Sequence, residues 1–336
     1  MSGVWKMPAE WQPHERTWMA WMEEDYSKNP TSESTEQMHQ AWARVANTIV
    51  NFEPVTMLVS QEHESEARVY LDPRVEILIA KIDDGWMRDS GPTFVKNPDG
   101  KLAAVDWVFN GWGNQGGWAN WEQDDAVAST VAAEVAVPAL RSKLVNEGGG
   151  IHVNGAGAVL LTETVQLGAE RNPDWTRAEV EAEIHAKLGT DRAIWIRRGL
   201  TRDYEDFGTK GHIDIVACFA DETTILYHDQ QDETHPDFSV THEVRRTLEE
   251  AGGFKLVGVP APKILRDDHG VVDYSYINHY ICNGAVILCA FDDPNDEVAK
   301  GILEGVYPGR EIVLVDARPL FVRGGGIHCI TQQQPA

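Results

Sequence analysis

Apolar positions along the chain alternate between a helical and an extended period. Met38, Ala41, Trp42, Val45, Ala46 and Ile49 fall at helical spacing behind Ser34-Thr35-Glu36-Gln37, where a hydroxyl and an amide three residues apart form a capping box. The apolar run Val55 to Val59 follows and predicts a strand. The same order returns three times. Thr176-x-x-Glu179 opens a helix that Gly189 stops, ahead of a strand over Ala193 to Ile196. Thr241 to Ala251, with Gly252 behind it, precedes a strand over Phe254 to Val259, and Pro294 to Val306 precedes one over Ile312 to Val315. A weaker helical pattern covers Asp124 to Val137.

Five helical segments, most followed by a strand, predict one α/β unit repeated without sequence identity. Gly148-Gly149-Gly150-Ile151-His152 and Gly324-Gly325-Gly326-Ile327-His328 are the same five residues and suggest the same repeat. No linker or low-complexity stretch divides the chain, so residues 1–336 are expected to form a single domain built from repeats. Asp106 to Trp121 holds four tryptophans and several glycines and predicts a structured loop, its aromatics either packed inside or facing a substrate.

Hydrophobic residues make up 42% and charged residues 24%, the balance of an ordinary globular protein. The formal net charge of −24 argues against nucleic acid, whose phosphates need clustered Lys and Arg, and is compatible with a small cationic partner. The first eleven residues lack a charged-then-apolar signal pattern, and runs such as Val159 to Leu161 are too short to span a bilayer. A cytoplasmic location without membrane association is therefore expected. The cysteines at 218, 282, 289 and 329 form no C-x-x-C pair, so reduced thiols are expected and neither a zinc ribbon nor a disulfide framework.

Cys218, Cys282 and Cys289 lie in or beside apolar runs and look like packed thiols. Cys329 follows three glycines and leads into Thr331-Gln332-Gln333-Gln334, a polar setting that suits a nucleophile, with a packed thiol as the alternative. The adjacent His328 is a poor base for it, because neighbours in an extended segment face opposite ways. Gly211-His212-Ile213-Asp214 would put His212 and Asp214 on one face if it is a strand. Trp86 and Asp89 lie beyond the predicted strand Val75 to Ala80 and could offer a flat face and a carboxylate to a planar cation, or simply staple a turn. Glu147 precedes the first glycine triplet. His228, Asp229, Asp232 and His235 have metal-ligand chemistry, but their spacing fits no defined site.

Several phrases together resemble the agmatine deiminases of the guanidine-modifying superfamily. They are Met7-Pro8-Ala9-Glu10-Trp11, Glu15-Arg16-Thr17-Trp18-Met19-Ala20-Trp21, Trp86-Met87-Arg88-Asp89-Ser90-Gly91-Pro92-Thr93, Glu147-Gly148-Gly149, Arg171-Asn172-Pro173, Gly211-His212-Ile213-Asp214 and Gly326 to Pro335. The likeness spans nearly the whole chain. It implies the pentein fold, an α/β-propeller of five pseudo-symmetric ββαβ units around a central site. It also implies hydrolysis of a guanidino compound to a ureido product and ammonia, agmatine to N-carbamoylputrescine first among them, with no metal or other cofactor. By resemblance Cys329 is the nucleophile, His212 the general acid and base, Asp89 and Asp214 the guanidinium-holding carboxylates, and Glu147 a partner of the histidine or substrate. Trp86 and Trp112 would line the substrate site, and a homodimer follows from family habit.

The phrases also depart from the family pattern. Met22-Glu23 and Gly113-Asn114 replace its usual residues, and Lys210 and Ile215 stand where asparagines usually flank the histidine motif. An inward-pointing Lys210 would favour a carboxylate tail, as on arginine or a guanidino acid, over the amine of agmatine. Amidine transfer, a non-catalytic pentein binding protein and a metal-dependent ureohydrolase are the rival readings.

Overall fold

Five small sheets repeat one connection. In each, a short strand pairs antiparallel with a second, and the second pairs parallel with a third reached through a helix. The computed structural model describes residues 5–25, 30–114, 117 and 120–336. Module one has strands Thr93–Lys96, Leu102–Val108 and Ala139–Val145 with helix Val127–Glu134, and module two has Ile151–Val153, Ala158–Thr162 and Arg192–Ile196 with helix Arg177–Leu188. Module three has Ala217–Phe219, Thr224–Asp229 and Lys255–Pro260 with helix Asp237–Ala251, and module four has Tyr280–Cys282, Ala285–Ala290 and Glu311–Asp316 with helix Asn295–Val306. The closing module joins the chain ends. Its first strand, Gln332–Pro335, runs antiparallel to His14–Ala20, which pairs with Val55–Val59 across helix Ser32–Ile49, and Glu76–Ile79 adds a fourth strand.

The middle strands read as unbroken apolar runs because both faces are covered, as for Ala158–Thr162, buried at every position. In module four the hairpin turns on Asn283-Gly284, where Gly284 has φ +80°. The largest apolar cluster runs from helix Ser32–Ile49 through module four and ends at Trp86, Trp112 and Cys329, so the candidate sulfur closes a packed core.

Most expected elements are present, with three local differences. The first helix starts at Ser32 and not after Ser34, because Ser34 is the inner member of the capping box: Thr31 Oγ1 accepts from the Ser34 N–H, and Ser34 Oγ accepts from the Thr31 N–H. The expected helix over Asp124 to Val137 is a 3-10 turn at Asp124–Ala126 followed by Val127–Glu134, ending where Ala136 turns left-handed at φ +54°. His212 and Asp214 do not lie on a strand; Ile213–Ile215 is a 3-10 turn ahead of Ala217–Phe219. The Thr176 capping box and the left-handed Gly189 stop are as expected. Part of the tryptophan-rich loop, including Trp118, lies outside the described residues.

Candidate active site

Each module delivers side chains from the segment immediately ahead of its first strand. Module one supplies Trp86 and Asp89, module two Glu147, module three His212 and Asp214, module four Asn278, and the closing module Cys329. All are buried. His212, Asp89 and Asp214 meet around Gly149, where a Cβ would lie 2.5 Å from His212 Nδ1, 2.9 Å from Asp89 Oδ1 and 3.0 Å from Asp214 Oδ2. Only the absence of a side chain at 149 lets these groups converge.

Asp89 is fixed at both oxygens: the Gly149 N–H donates to Oδ1 at 3.0 Å and Trp112 Nε1 donates to Oδ2 at 2.8 Å. Trp112 reaches it from a left-handed backbone, φ +54°, a conformation that costs a bulky residue on the order of 1–3 kcal/mol. Glu147 is gripped by Arg171 Nε at 2.8 and 3.1 Å and lies 3.4 Å from His212 Nε2. This leaves His212 Nδ1, 3.8 Å from Asp89 Oδ1, and Asp214 Oδ1 without a hydrogen-bond partner among the described residues. Each has bonding capacity left for a bound molecule. Cys329 Sγ lies 3.5 Å from Asp214 Oδ2. Trp86 packs edge-on against Trp42, with its ring beside Gly325 and the sulfur.

Charge sets the protonation states. Burial alone would lower the His212 pKa, but the carboxylates of Asp89, Glu147 and Asp214 outweigh it and hold the imidazole at about 9, cationic at neutral pH. Burial pushes the Cys329 thiol well up, and the negative charges of Asp214 and Asp89 add to the shift. Burial likewise raises Asp89, whereas for Asp214 burial is outweighed by His328 and then His212, and its pKa falls. For Glu147 burial is outweighed by Arg171 and His212, which keep it ionised.

Beneath the site lies a buried ionic cluster that sequence reasoning missed. His328 Nδ1 is 2.9 Å from Asp214 Oδ2, and its Nε2 is 3.0 and 3.2 Å from the two oxygens of Glu10. With a carboxylate at each nitrogen, the ring is an imidazolium. Burial and Arg88 would lower its pKa, but Glu10 and Asp214 prevail and raise it. Arg88 Nη1 reaches Glu10 at 3.3 Å and Gln333 Oε1 at 2.9 Å, and His152 Nε2 lies 3.7 Å from Glu10. Glu10, His152 and His328 are close enough to hold a metal ion, but both His328 nitrogens already face carboxylates, so ligation would require the ring to lose a proton and one of those contacts. Among the described residues the His328 ring bonds Asp214 and Glu10 and not the sulfur, and strand alternation is not the reason, because the chain turns here, the Thr331 N–H donating to the His328 carbonyl at 3.2 Å. Glu10 and Arg171 lay within motif phrases without an assigned role; Asn278, in Tyr276-Ile277-Asn278-His279, carried no signal except its place ahead of a module's first strand.

A cavity of about 1030 Å³ opens beside Trp112 and is lined by Glu163, Glu170, Glu205, Asp206, Arg197 and Lys210, among others. Lys210 Nζ donates to the carbonyl oxygens of Tyr204 at 3.0 Å and Glu205 at 3.5 Å, so its charge is engaged with its own loop. A separate cavity of about 630 Å³ against Trp11, Pro98 and Pro335 contains none of the candidate residues. His228 and His235 are buried, and burial drives His228 down to about 3. They form no metal-ligand group with Asp229 and Asp232 among the described residues. Cys218, Cys282 and Cys289 are buried and their thiols are raised by burial, as packed thiols should be. No helix among the described residues is long and apolar enough to cross a membrane.

Known proteins are similar to this chain over nearly its whole length. A Streptomyces coelicolor protein named "Putative agmatine deiminase" is 55% identical over 99% of both chains, and the agmatine deiminase of Stutzerimonas stutzeri is 36% identical over 98% of this chain and 95% of its own. The solved agmatine deiminase of Enterococcus faecalis superposes with a TM-score of 0.90 at 30% identity, covering 99% of this chain and 96% of that one. These likenesses carry the pentein fold. Porphyromonas-type peptidyl-arginine deiminases match residues 6–335, and the chain belongs to that family of hydrolases acting on the C–N bonds of amidines and guanidines.

Proposed function

We propose that the protein hydrolyses agmatine to N-carbamoylputrescine and ammonia through a covalent intermediate on Cys329. One observation carries the reading: two carboxylates and an imidazolium with an unpaired nitrogen converge on the bare face of Gly149, and a thiol lies 3.5 Å from one of those carboxylates. A guanidinium is planar and charge-delocalised, so Asp89 and Asp214 suit its N–H edges and would set its carbon before the sulfur.

Binding that cation offsets the negative field of Asp89 and Asp214 that holds the thiol protonated. The S–H proton leaves to solvent, and the thiolate attacks the guanidinium carbon. His212, cationic below about 9, gives its proton to the departing nitrogen, and collapse of the tetrahedral adduct releases ammonia and an S-alkylthiouronium. The neutral imidazole then takes a proton from water, and hydroxide attacks the same carbon. Cleavage of the C–S bond, with loss of the adduct's hydroxyl proton to solvent, frees the neutral ureido product and the thiolate. No step calls on a metal or other cofactor.

The charge lining the cavity beside Trp112 supports agmatine over arginine. Glu163 is paired with Arg177 and Arg197 with Glu243, both from outside the cavity, which leaves Glu170 and Glu205 against Lys210, whose ammonium is occupied by carbonyls. A carboxylate tail about 7 Å from one carboxylate of this lining would lose ~2 kcal/mol at an effective dielectric of about 20, before salt screening. Ammonia release from a panel of guanidino compounds, with no amine acceptor present, tests both points. Agmatine should be the best substrate; preference for arginine would end the agmatine reading, and release that requires an added amine would make the protein an amidinotransferase.

A further inference from the structure

Four of the five modules contribute charged or nucleophilic groups to the site, and module four contributes an amide. We propose that Asn278 is a further catalytic residue, whose side-chain N–H donates to Cys329 Sγ and stabilises the thiolate during attack and release. The inference rests on the reading of Cys329 as the nucleophile.

The orientation of the amide follows from its neighbours. The main-chain N–H of His328 can only donate, and it donates to Asn278 Oδ1 at 3.0 Å. The main-chain oxygen of Asp214 can only accept, and it lies 3.4 Å from Asn278 Nδ2. With oxygen and nitrogen so assigned, Nδ2 is left facing the sulfur at 3.2 Å. Flipping the amide would oppose two donors and two acceptors at once, in a residue with no exposed surface. Gly326 completes the arrangement: a Cβ there would come within 2.5 Å of Asn278 Oδ1 and push the amide off the sulfur.

The sulfur needs such a donor. It is buried, and the carboxylates of Asp214 and Asp89 both oppose its ionisation. A bound guanidinium would relieve them only while it stays a cation in the site. The N–H of Asn278 is present throughout the cycle. Donation to the charged form favours the thiolate, both as attacking group and as the group expelled in the second half-reaction. Asn278 also links the sulfur to the main chain of Asp214, so the nucleophile and one guanidinium carboxylate are held as a unit.

The test is the pH dependence of Cys329 alkylation by iodoacetamide, followed by mass spectrometry, in the wild type, Asn278→Asp and Asn278→Ser, alongside steady-state ammonia release from agmatine. Asn278→Asp keeps the shape and the acceptor for the His328 N–H but puts a carboxylate oxygen where the donor was. It should move the alkylation midpoint up by at least about one pH unit and lower kcat/KM by about 10- to 100-fold. Asn278→Ser should shift the midpoint in the same direction by less, and it keeps the question open to measurement should the Asp variant fail to fold. Unchanged midpoints in the folded variants would overturn the inference, even with reduced kcat, because a purely structural role lowers activity without moving thiol ionisation. Failure of the underlying reading looks different: Cys329→Ala would retain ammonia release whatever Asn278 does.

Discussion

The two Gly-Gly-Gly-Ile-His phrases have the same five residues and are used differently. In 148–152 the glycines form a 3-10 turn and Ile151-His152 begins the first strand of module two, whereas 324–328 ends before the closing strand Gln332–Pro335 begins. The echo is therefore out of register with the modules and is not their structural repeat. Both phrases need glycine mainly for close approach: Gly148 lies against the Arg88 carbonyl, where a Cβ would be 2.2 Å away, and Gly325 against the Trp86 ring at 2.7 Å. Both histidines turn toward Glu10, their rings 6.3 Å apart. The reacting groups lie outside the shared residues, Glu147 just before the first phrase and Cys329 just after the second. Identical residues thus give a similar close-packed turn, and the offset from the strand decides what that turn presents.

The sharpest way to break the comparison is at its reacting end. Cys329→Ala should abolish ammonia release, by at least about 10⁴-fold in kcat, with little change in fold, since a small apolar group replaces a buried thiol. Retained turnover would make the second phrase as structural as the first. Next come the middle glycines. Gly149→Ala should cost about 10²- to 10³-fold in kcat/KM, because its methyl would occupy the space between His212 and the two aspartates. Gly325→Ala should also reduce activity, by displacing Trp86 and the sulfur, and tryptophan fluorescence should report the displacement. A change in Trp emission from Gly149→Ala alone would reverse the assignment of the two turns.

These residues also divide what the sequence discloses from what it does not. Thr176, Glu179 and Gly189 announce a helix because capping is local, and the buried middle strands announce themselves as short apolar runs. Asp89, Glu147, His212, Asp214 and Cys329 are legible because they sit in phrases of unusual composition. The role of Asn278 is not, because it depends on a contact across 51 positions, and the pairing of Glu10 with His328 spans 318. His328 was judged by the alternation of an extended chain, a rule that fails where the chain turns. Periodicity reads local geometry; a site assembled from five modules is written in distances that periodicity does not encode.

The two histidines offer a finer contrast. His328→Asn leaves Glu10 and Asp214 facing each other without the imidazolium between them, and breaking a buried ionic contact of this kind costs about 3–5 kcal/mol. His152, whose Nδ1 accepts from the Phe219 N–H and whose Nε2 lies 3.7 Å from Glu10, makes a looser contact, and His152→Asn should cost about 1–2 kcal/mol. Urea denaturation of both variants decides the order. Equal losses would mean that the second histidine is no more embedded than the first, and that its link to Asp214 adds nothing.

The smallest expected effect is on pH dependence, and its sign follows from which way each group is shifted. His212 is raised to about 9 and His328 is raised as well, so the stability they contribute is complete below the usual histidine range and is lost as pH climbs through the raised values. Glu10, Glu147 and Asp214 are lowered, so their contribution is present above the ordinary carboxylate range and fades as the solution is acidified through the depressed values. The combined contribution of these five groups should therefore peak between about pH 5 and 6.5 and fall, by a few degrees in Tm, toward pH 9. His328→Asn should flatten part of that alkaline decline and His212→Gln another part. If both variants keep the full wild-type slope, the imidazolium between Glu10 and Asp214 is not there, and the second phrase differs from the first only in the cysteine that follows it.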